Sequence, residues 1–209
     1  LAVNYYLGDV VLSATAGRYT QLPVSRLLAQ ENKLKSESCI QYNVGAQYEG
    51  DGRFYKAELY YKKYDRLALV EKGTVDAAEV LTSGGYGYSK GFDLFFNDRV
   101  LLKNLEYQLS YTYNIAKRKF QEYTELTTPQ YATQHNASLV LKYSIPRIGT
   151  IVGLTNRFSS GRPYHNPDLL GLMNDHVKPY NSLDLGLTFL PSKKVIIHAS
   201  ATNILCRKN

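Results

Sequence analysis

A polar segment near the C-terminal end of the sequence, residues 159–181, holds the side chains most able to take part in chemistry. Six of them can bind an anion or exchange protons: Arg162, Tyr164, His165, Asp168, Asp175 and His176. Histidines and carboxylates can act as general bases and acids, and the same groups can hold a polar ligand by hydrogen bonds. We predict ligand contact, because binding residues concentrate on loops held by a rigid scaffold. For any single residue the alternative is a solvated loop position without ligand contact.

No pattern assembles these side chains into a catalytic or metal centre. The histidines, His135, His165, His176 and His198, lack the short spacing typical of metal ligands. The sequence has no G-x-S-x-G elbow. The glycines in residues 84–91 alternate with aromatic residues, whereas a phosphate-binding loop requires a helix behind it. We therefore predict no catalytic residue, no metal and no cofactor.

The elements that position this loop are predicted by hydrophobic alternation. In residues 105–117 one parity is apolar, from Leu105 to Ile115, and the other is polar, from Glu106 to Asn114. Strand side chains point alternately to opposite faces, so this segment is a strand with one apolar and one polar face. The pattern predicts ten strands, at about 1–6, 9–19, 40–49, 55–62, 86–97, 105–117, 137–144, 150–158, 182–189 and 194–204. No stretch predicts a helix of any length.

The connections between these strands alternate in length. Short connections are predicted at 7–9, 49–53, 97–104, 145–149 and 191–194, and long ones at 20–37, 65–85, 119–135 and 159–181. An antiparallel up-and-down sheet with its tight turns on one rim and its long loops on the other produces this alternation. Transmembrane β-barrels are built in this way, whereas the crossovers of a β-sandwich give no reason to sort loop lengths.

The two faces differ as a membrane barrel requires. We predict that the polar parity faces a wet lumen, with the residues Asn43, Gln47, Glu58, Glu106, Gln108, Asp184 and His198. Charge is nearly absent from the apolar parity, and tyrosines lie toward the strand ends, as in an aromatic girdle. No apolar run approaches the roughly 18 residues of a membrane-spanning helix. The alternative is a soluble antiparallel sheet with one face on a core and one in water.

The net charge of +7 is spread thinly along the chain. No block of five like charges exists, and the densest cluster, Lys117–Lys119, is interpreted as a solvated strand end. We therefore predict no nucleic-acid partner.

From the third predicted strand onward, the chain resembles the C-terminal barrel of TonB-dependent outer-membrane receptors of the type common in Bacteroidetes. The matching stretches include QYNVGAQYEGDGRFYKAELYYKKYDRL and HNASLVLKYSIPRIGTIVGLTNRFSSGRPYHNP. Ser160, Gly161, Arg162, Pro163 and Tyr164 match the family's SGRPY, which precedes a large extracellular loop. Asn203, Ile204 and Leu205 match the NLF that precedes the last strand, with Leu in place of the usual Phe.

The resemblance implies that residues 1–209 are about ten strands of a larger barrel of about 22, with the plug domain, the first half of the barrel and the last strand absent. It implies active uptake of a scarce large solute (a siderophore, a cobalamin-like molecule or an oligomeric nutrient) in the bacterial outer membrane. The partners it implies are TonB through the missing plug, the plug itself, outer-membrane lipid or lipopolysaccharide, and a surface lipoprotein.

Two other classes stay open from the residues alone. A ten-stranded barrel protease of the omptin kind would use Asp168, Asp175, His165 and His176, but those four share one loop, whereas such a site needs groups from opposite walls. A soluble β-sheet binding protein is the third class.

Overall fold

The computed structural model describes residues 1–72 and 79–206, and these form one antiparallel sheet with two small helical turns and a short ribbon. The strands of the sheet are β1 Ala2–Leu7, β2 Val10–Gln21, β3 Glu37–Gly50, β4 Arg53–Lys72, β5 Glu79–Leu102, β6 Leu105–Lys119, β7 His135–Ile145, β8 Thr150–Ser159, β11 Tyr180–Ser192 and β12 Val195–Ala201. The ribbon consists of β9 Pro163–Tyr164 and β10 Asp175–His176.

The sheet is a simple meander. Its strand order is β1-β2-β3-β4-β5-β6-β7-β8-β11-β12, so every strand pairs with its sequence neighbours once the ribbon is set aside. Each of the ten strands overlaps one predicted from the alternation. Within the described residues β1 and β12 are the two edges and do not pair with each other, so the sheet is open. The all-β, up-and-down prediction is confirmed.

The tight turns all lie on one rim. Asp51 and Gly52 join β3 to β4 with φ of 49° and 76°, the left-handed pair that suits a two-residue hairpin. Asn104, with φ of 62°, closes the turn between β5 and β6. A single 3₁₀ turn, Pro146–Ile148, ends at Gly149 with φ of 60° and joins β7 to β8. The remaining short turns join β1 to β2 and β11 to β12.

The long connections lie on the other rim and differ in two places from the prediction. The segment 65–85 is mostly strand, since β4 continues to Lys72 and β5 begins at Glu79; its residues 73–78 lie outside the described residues. Register shifts between Asp65 and Leu67 and between Leu67 and Leu69 interrupt the alternation there, because a bulge changes the parity. A helix of six residues, α1 Ser25–Gln30, lies in the first long loop, so the prediction of no helix was wrong.

The two faces of the sheet differ in composition, and one is apolar while the other is polar. The apolar face carries residues such as Val44 and Leu59, whose exposed fractions are 59% and 63%. The polar face carries the opposite parity, including Asn43 and Glu58. No second layer covers the apolar face among the described residues. Burial of apolar side chains is instead concentrated beside the long-loop rim, at Leu27, Leu67, Ala68, Leu69, Ala116 and Ala132.

Aromatic rings form two groups on the apolar face. Toward the short-turn rim, Tyr55 packs between Tyr48 and Phe96, with ring centres 5.8 and 5.7 Å away. Nearer the long-loop rim, Phe92 and Tyr113 have ring centres 5.6 Å apart. This placement agrees with the predicted girdles at the two ends of the strands. Among the helices described, none has the length and apolar character needed to cross a membrane.

Candidate functional site

The seven residues predicted to face the lumen share the polar face of the sheet. Directly opposed residues of an antiparallel pair point to the same side, so the register relates the strands to one another. In one row Glu58 opposes Asp93, which opposes Thr112. The register places all seven on this face: Asn43, Gln47, Glu58, Glu106, Gln108, Asp184 and His198. That this face lines a lumen stays a prediction.

A cavity of about 370 Å³ lies on the polar face across β3 to β7. The hydroxyls of Tyr60 and Ser89 both donate to Asn114 Oδ1, at 3.0 and 2.7 Å, and Thr112 Oγ1 donates to Asp93 Oδ1 at 2.5 Å. The charged side chains along its wall are of both signs: Glu58, Lys62, Asp93 and Arg118. Such a wall can bind a polar protein surface or a polar ligand by hydrogen bonds to donors and acceptors alike.

Two of the residues predicted to face the lumen, Asp184 and Glu106, form ion pairs with residues on neighbouring strands. Asp184 accepts from Arg157 Nη1 at 2.8 Å and from the backbone N–H of Asn203 at 2.8 Å. Glu106 lies 3.5 Å from Lys142 Nζ on the next strand. Asn203 has a φ of 50° and follows the end of β12, where the second family-like motif begins. Both carboxylates therefore have partners on the chain itself.

Arg118 lies at the long-loop end of the cavity, and its interpretation as part of a solvated strand end was wrong. Its guanidinium carbon is 4.0 Å from the centre of the Tyr64 ring, and Nη1 donates to the Tyr131 hydroxyl at 2.8 Å. Partial desolvation raises the pKa of the Tyr131 phenol, although the side chain is half exposed. Lys117, the preceding residue, points to the apolar face and is exposed. Because side chains alternate along a strand, Lys117 lies on the apolar face and Arg118 on the polar face, although the two are adjacent in sequence.

In the loop 159–181 the structure brings together Tyr164 and Asp175. The ribbon of β9 and β10 sets them opposite each other, and the Tyr164 hydroxyl donates to Asp175 Oδ2 at 2.5 Å. Asp175 also accepts from Asn166 Nδ2 at 3.1 Å and from the backbone N–H of His176 at 2.7 Å. The Tyr164 hydrogen bond, followed by those from His176 and Asn166, lowers the pKa of Asp175, and the Asp175 hydrogen bond raises the pKa of Tyr164.

The other four loop candidates flank this pair or lie in the segment that it closes. Arg162, His165, Asp168 and His176 are exposed. The Arg162 carbonyl accepts from the N–H of Val177 at 3.0 Å, and Asp168 N–H donates to Asn166 Oδ1 at 3.0 Å. His176 lines a second cavity, of about 400 Å³, between this loop and the end of β6. Their side chains are available to solvent, and ligand contact stays a prediction.

Asn166 and Asn174 were missed by the sequence analysis although they hold the loop in shape. Asn174 Oδ1 accepts from the backbone N–H of Asn166 at 2.8 Å, and Asn174 Nδ2 donates to the carbonyls of Leu169 and Gly171 at 2.8 and 2.9 Å. The Asn166-Pro167 pair is a turn signal that could have identified the first of them. Gly161 belongs to the same framework, because a Cβ there would lie 1.9 Å from the Val177 carbonyl oxygen.

The long loops are joined to one another by hydrogen bonds. Glu37 Oε1 accepts from Ala68 N–H at 3.2 Å, and Val70 N–H donates to the carbonyl of Gln121 at 2.7 Å. Leu172, in the loop 159–181, donates its N–H to Glu125 Oε1 at 3.0 Å, while its carbonyl accepts from Thr127 Oγ1 at 3.1 Å. The rim therefore forms one connected network from β3 to the last long loop.

The arrangement offers little for covalent chemistry in the parts of the chain that the structure describes. There, no group of three or more His, Cys, Asp or Glu side chains could hold a metal ion. His198 Nδ1 lies 2.9 Å from Thr188 Oγ1, and His135 Nδ1 lies 2.8 Å from the Tyr111 hydroxyl, which are ordinary structural contacts. The geometry suits non-covalent binding.

Comparison with known proteins identifies the relatives of this sheet. A family model described as TonB dependent receptor-like, beta-barrel, matches residues 1–204. No match was found among curated proteins.

The same fold is found in several solved structures. Pseudomonas aeruginosa FpvA, bound to a pyoverdine and iron, aligns with a TM-score of 0.79 at 17% identity over 99% of this chain and 28% of that chain. The ferric-catecholate import receptor Fiu of Escherichia coli K12 gives 0.78 at 13%, over 98% and 30%. The FrpB iron transporter of Neisseria meningitidis gives 0.75 at 13%, over 99% and 34%. The chain therefore spans about a third of the length of the structures it matches.

Proposed function

The chain belongs to the β-barrel family of TonB-dependent receptors, which are outer-membrane proteins, and we propose that it is the C-terminal part of the barrel of an active transporter. The observation that carries this proposal is the family match over residues 1–204, which covers the whole described sheet. The open ten-stranded meander, with one apolar and one polar face, is a part of such a barrel.

In this proposal the two faces have separate tasks. The apolar face meets the hydrocarbon of the outer membrane. The polar face, with Asn43, Glu58 and Gln108, faces a plug domain that fills the lumen, through which TonB delivers energy. The mixed donors and acceptors along the cavity wall support a polar protein partner there, since buried polar groups need hydrogen-bond partners. No covalent chemistry is part of the proposal, in keeping with a family of transporters and receptors.

The long loops would form the entrance and close over the solute. The loop 159–181 is the best candidate for contact with it, because Arg162, His165, Asp168 and His176 are exposed there. The ribbon that holds this loop is closed by the hydrogen bond between Tyr164 and Asp175. The two hydrogen bonds between Leu172 and the preceding loop, one donated by Leu172 and one accepted from Thr127, support a shared movement of the two loops. A surface lipoprotein would be a further partner on this side.

The proposed cargo is a scarce large solute: a siderophore, a cobalamin-like molecule or an oligomeric nutrient. The matched structures include an iron transporter, receptors for ferric enterobactin and ferric catecholates, and a copper transporter, but at 13–18% identity they establish the fold alone. Two exposed cations of the loop 159–181, Arg162 and Lys178, outnumber its exposed acid, Asp168, and favour a solute with anionic groups.

The test is an uptake assay with the full-length protein in outer membranes. Cells with and without TonB receive ⁵⁵Fe-loaded siderophores, ⁵⁷Co-labelled cobalamin or labelled oligosaccharides and peptides. Accumulation of one class that requires both TonB and this protein is the expected result. Accumulation independent of TonB, or none for any class, would contradict the proposal. Cleavage of peptides by the purified protein would instead support the barrel protease.

A further inference from the structure

A row of cations crosses the apolar face close to the long-loop rim, where the sequence predicted almost no charge. Arg18 of β2 opposes Ile40, which opposes Lys63 of β4. Lys63 opposes Tyr88, and Tyr88 opposes Lys117 of β6. Lys90 follows on β5, two residues from Tyr88 and on the same face. We call Arg18, Lys63, Lys90 and Lys117 the basic belt, and all four are exposed.

Three members of the basic belt surround one tyrosine. Lys63 and Lys117 flank Tyr88 on the neighbouring strands, so their Cα atoms lie about 10 Å apart at the usual strand spacing. Lys90 is diagonal to both, at about 7–8 Å, and its Nζ lies 5.8 Å from the centre of the Tyr88 ring. Lysine side chains are long enough for the three ammonium groups to converge on one anion of phosphate size.

The basic belt is restricted to one rim and one half of the sheet. The row does not continue onto β7, because the pairing of β6 with β7 ends at Tyr113 and His135, four residues before Lys117. Near the short-turn rim the cation on this face is Arg53, and its Nε is paired with Asp98 at 3.3 Å. Asp65 offsets part of the belt's charge through Lys63, at 3.6 Å, with the Lys63 side chain still 57% exposed. The remaining cations face outward without a carboxylate in that row.

We propose that the basic belt binds the phosphorylated headgroup of a lipid in the outer leaflet of the outer membrane. Exposed tyrosines, Tyr42 and Tyr61, lie level with Lys90, one row further from the long-loop rim than Lys63. Aromatic residues mark the membrane interface, and basic side chains at an interface attract anionic headgroups. A lipid can place its acyl chains on the apolar face and its phosphate on the basic belt. A free anion can contact the basic belt alone.

This inference rests on the proposed function only for the orientation of the barrel, with its long loops outward. It does not depend on which solute is carried or on uptake itself. Failure of the uptake assay with intact lipid binding would therefore reject the transporter and leave the belt in place, and the converse result would reject the belt alone.

The experiment compares two triple variants of the full-length protein with equal loss of charge. Lys63→Gln/Lys90→Gln/Lys117→Gln removes the cluster around Tyr88. Lys103→Gln/Lys193→Gln/Lys194→Gln removes three exposed lysines at the opposite rim and is the matched control. Native mass spectrometry in mixed micelles measures the fraction that carries diphosphoryl lipid A, with its dephosphorylated form as a second probe and inorganic pyrophosphate as competitor.

The belt variant is expected to bind diphosphoryl lipid A about a hundredfold more weakly than the parent protein, since each of the three interfacial lysines contributes about fivefold to headgroup binding. The control variant should bind as the parent does, and the dephosphorylated lipid should bind parent and belt variant equally. Equal binding of diphosphoryl lipid A by both variants would overturn the proposal. Displacement of the lipid by millimolar pyrophosphate would also overturn it, because the belt would then be a site for a free anion.

Discussion

The phenol of Tyr164 donates a 2.5 Å hydrogen bond to Asp175 Oδ2 across a two-residue ribbon. These two residues are eleven positions apart in the sequence, and the bond closes the loop 165–174 between them. The loop projects beyond the sheet, so this contact holds in place the exposed side chains proposed to meet the solute.

Replacement of Tyr164 by Phe should loosen the loop 159–181. The substitution removes the hydroxyl and leaves the ring, so Asp175 loses one of its three donors. We expect amide hydrogen exchange in residues 165–176 to accelerate about fivefold, the factor that corresponds to one ordinary hydrogen bond. Hydrogen exchange with mass spectrometry on the full-length protein measures this, with Tyr143→Phe at the other rim as control. Equal exchange in both variants would show that the hydrogen bond between Tyr164 and Asp175 does not order the loop.

The same pair predicts how the order of the loop depends on pH. Its three hydrogen bonds lower the pKa of Asp175 in the folded loop, so ionised Asp175 stabilises the loop at pH values above the ordinary carboxyl pKa of about 4. That stabilisation is lost as the pH falls through the lowered pKa. The raised pKa of Tyr164 adds a loss at the alkaline end, above about pH 10.

Hydrogen exchange of the loop, corrected for the intrinsic effect of pH, should therefore show protection that is constant near neutrality and falls in acid. Asp175→Asn cannot ionise, so its loop should show weaker protection and no acid transition. An acid transition of the same size in that variant would assign it to another group.

Gly91 and Gly153 should respond differently to alanine, although both lie within strands on the polar face. A Cβ at Gly91 would lie 1.9 Å from the Tyr113 carbonyl oxygen and 2.7 Å from the Tyr60 hydroxyl, whereas at Gly153 the nearest atom is 3.8 Å away. We expect Gly91→Ala to destabilise the barrel by about 1–3 kcal/mol, as overpacking does, and Gly153→Ala to have little effect. Thermal unfolding of the purified full-length variants measures this difference. Equal unfolding midpoints for Gly91→Ala and Gly153→Ala would contradict the crowding at Gly91.

Arg118 should order the loop between β6 and β7 from the polar face. Its guanidinium stacks on Tyr64 and donates to Tyr131; a partly desolvated cation–π contact is worth about 1–2 kcal/mol. Arg118→Gln is expected to accelerate exchange in residues 121–134. Lys117→Gln, one residue earlier on the opposite face, should leave that loop unchanged.

The same two variants should have the reverse effects in the lipid-binding assay, where only Lys117→Gln weakens binding. Arg118→Gln is expected to bind diphosphoryl lipid A normally, whereas Lys117→Gln removes a member of the basic belt. If both variants lowered lipid binding equally, the division of the two faces at the end of β6 would be wrong.

The sequence by itself determined the strands and the character of their faces. Alternation is local, because each residue's side is set by its position within its own strand. Residues 105–117 therefore predicted β6, and Asn43, Glu58 and Asp184 could be assigned to one polar parity before any strand was placed beside another. The alternation of short and long connections predicted the meander in the same way, since antiparallel neighbours bring successive turns to opposite rims.

The tertiary structure decided everything that depends on register and on the long loops. Alternation does not say which residue of the next strand lies opposite, so the row that joins Lys63, Tyr88 and Lys117 came only from the pairing of three strands. The bulges near Leu67 broke the alternation and hid the continuation of β4. Tyr164 and Asp175 meet because a ten-residue loop folds back on itself, and no period in a sequence encodes such a closure.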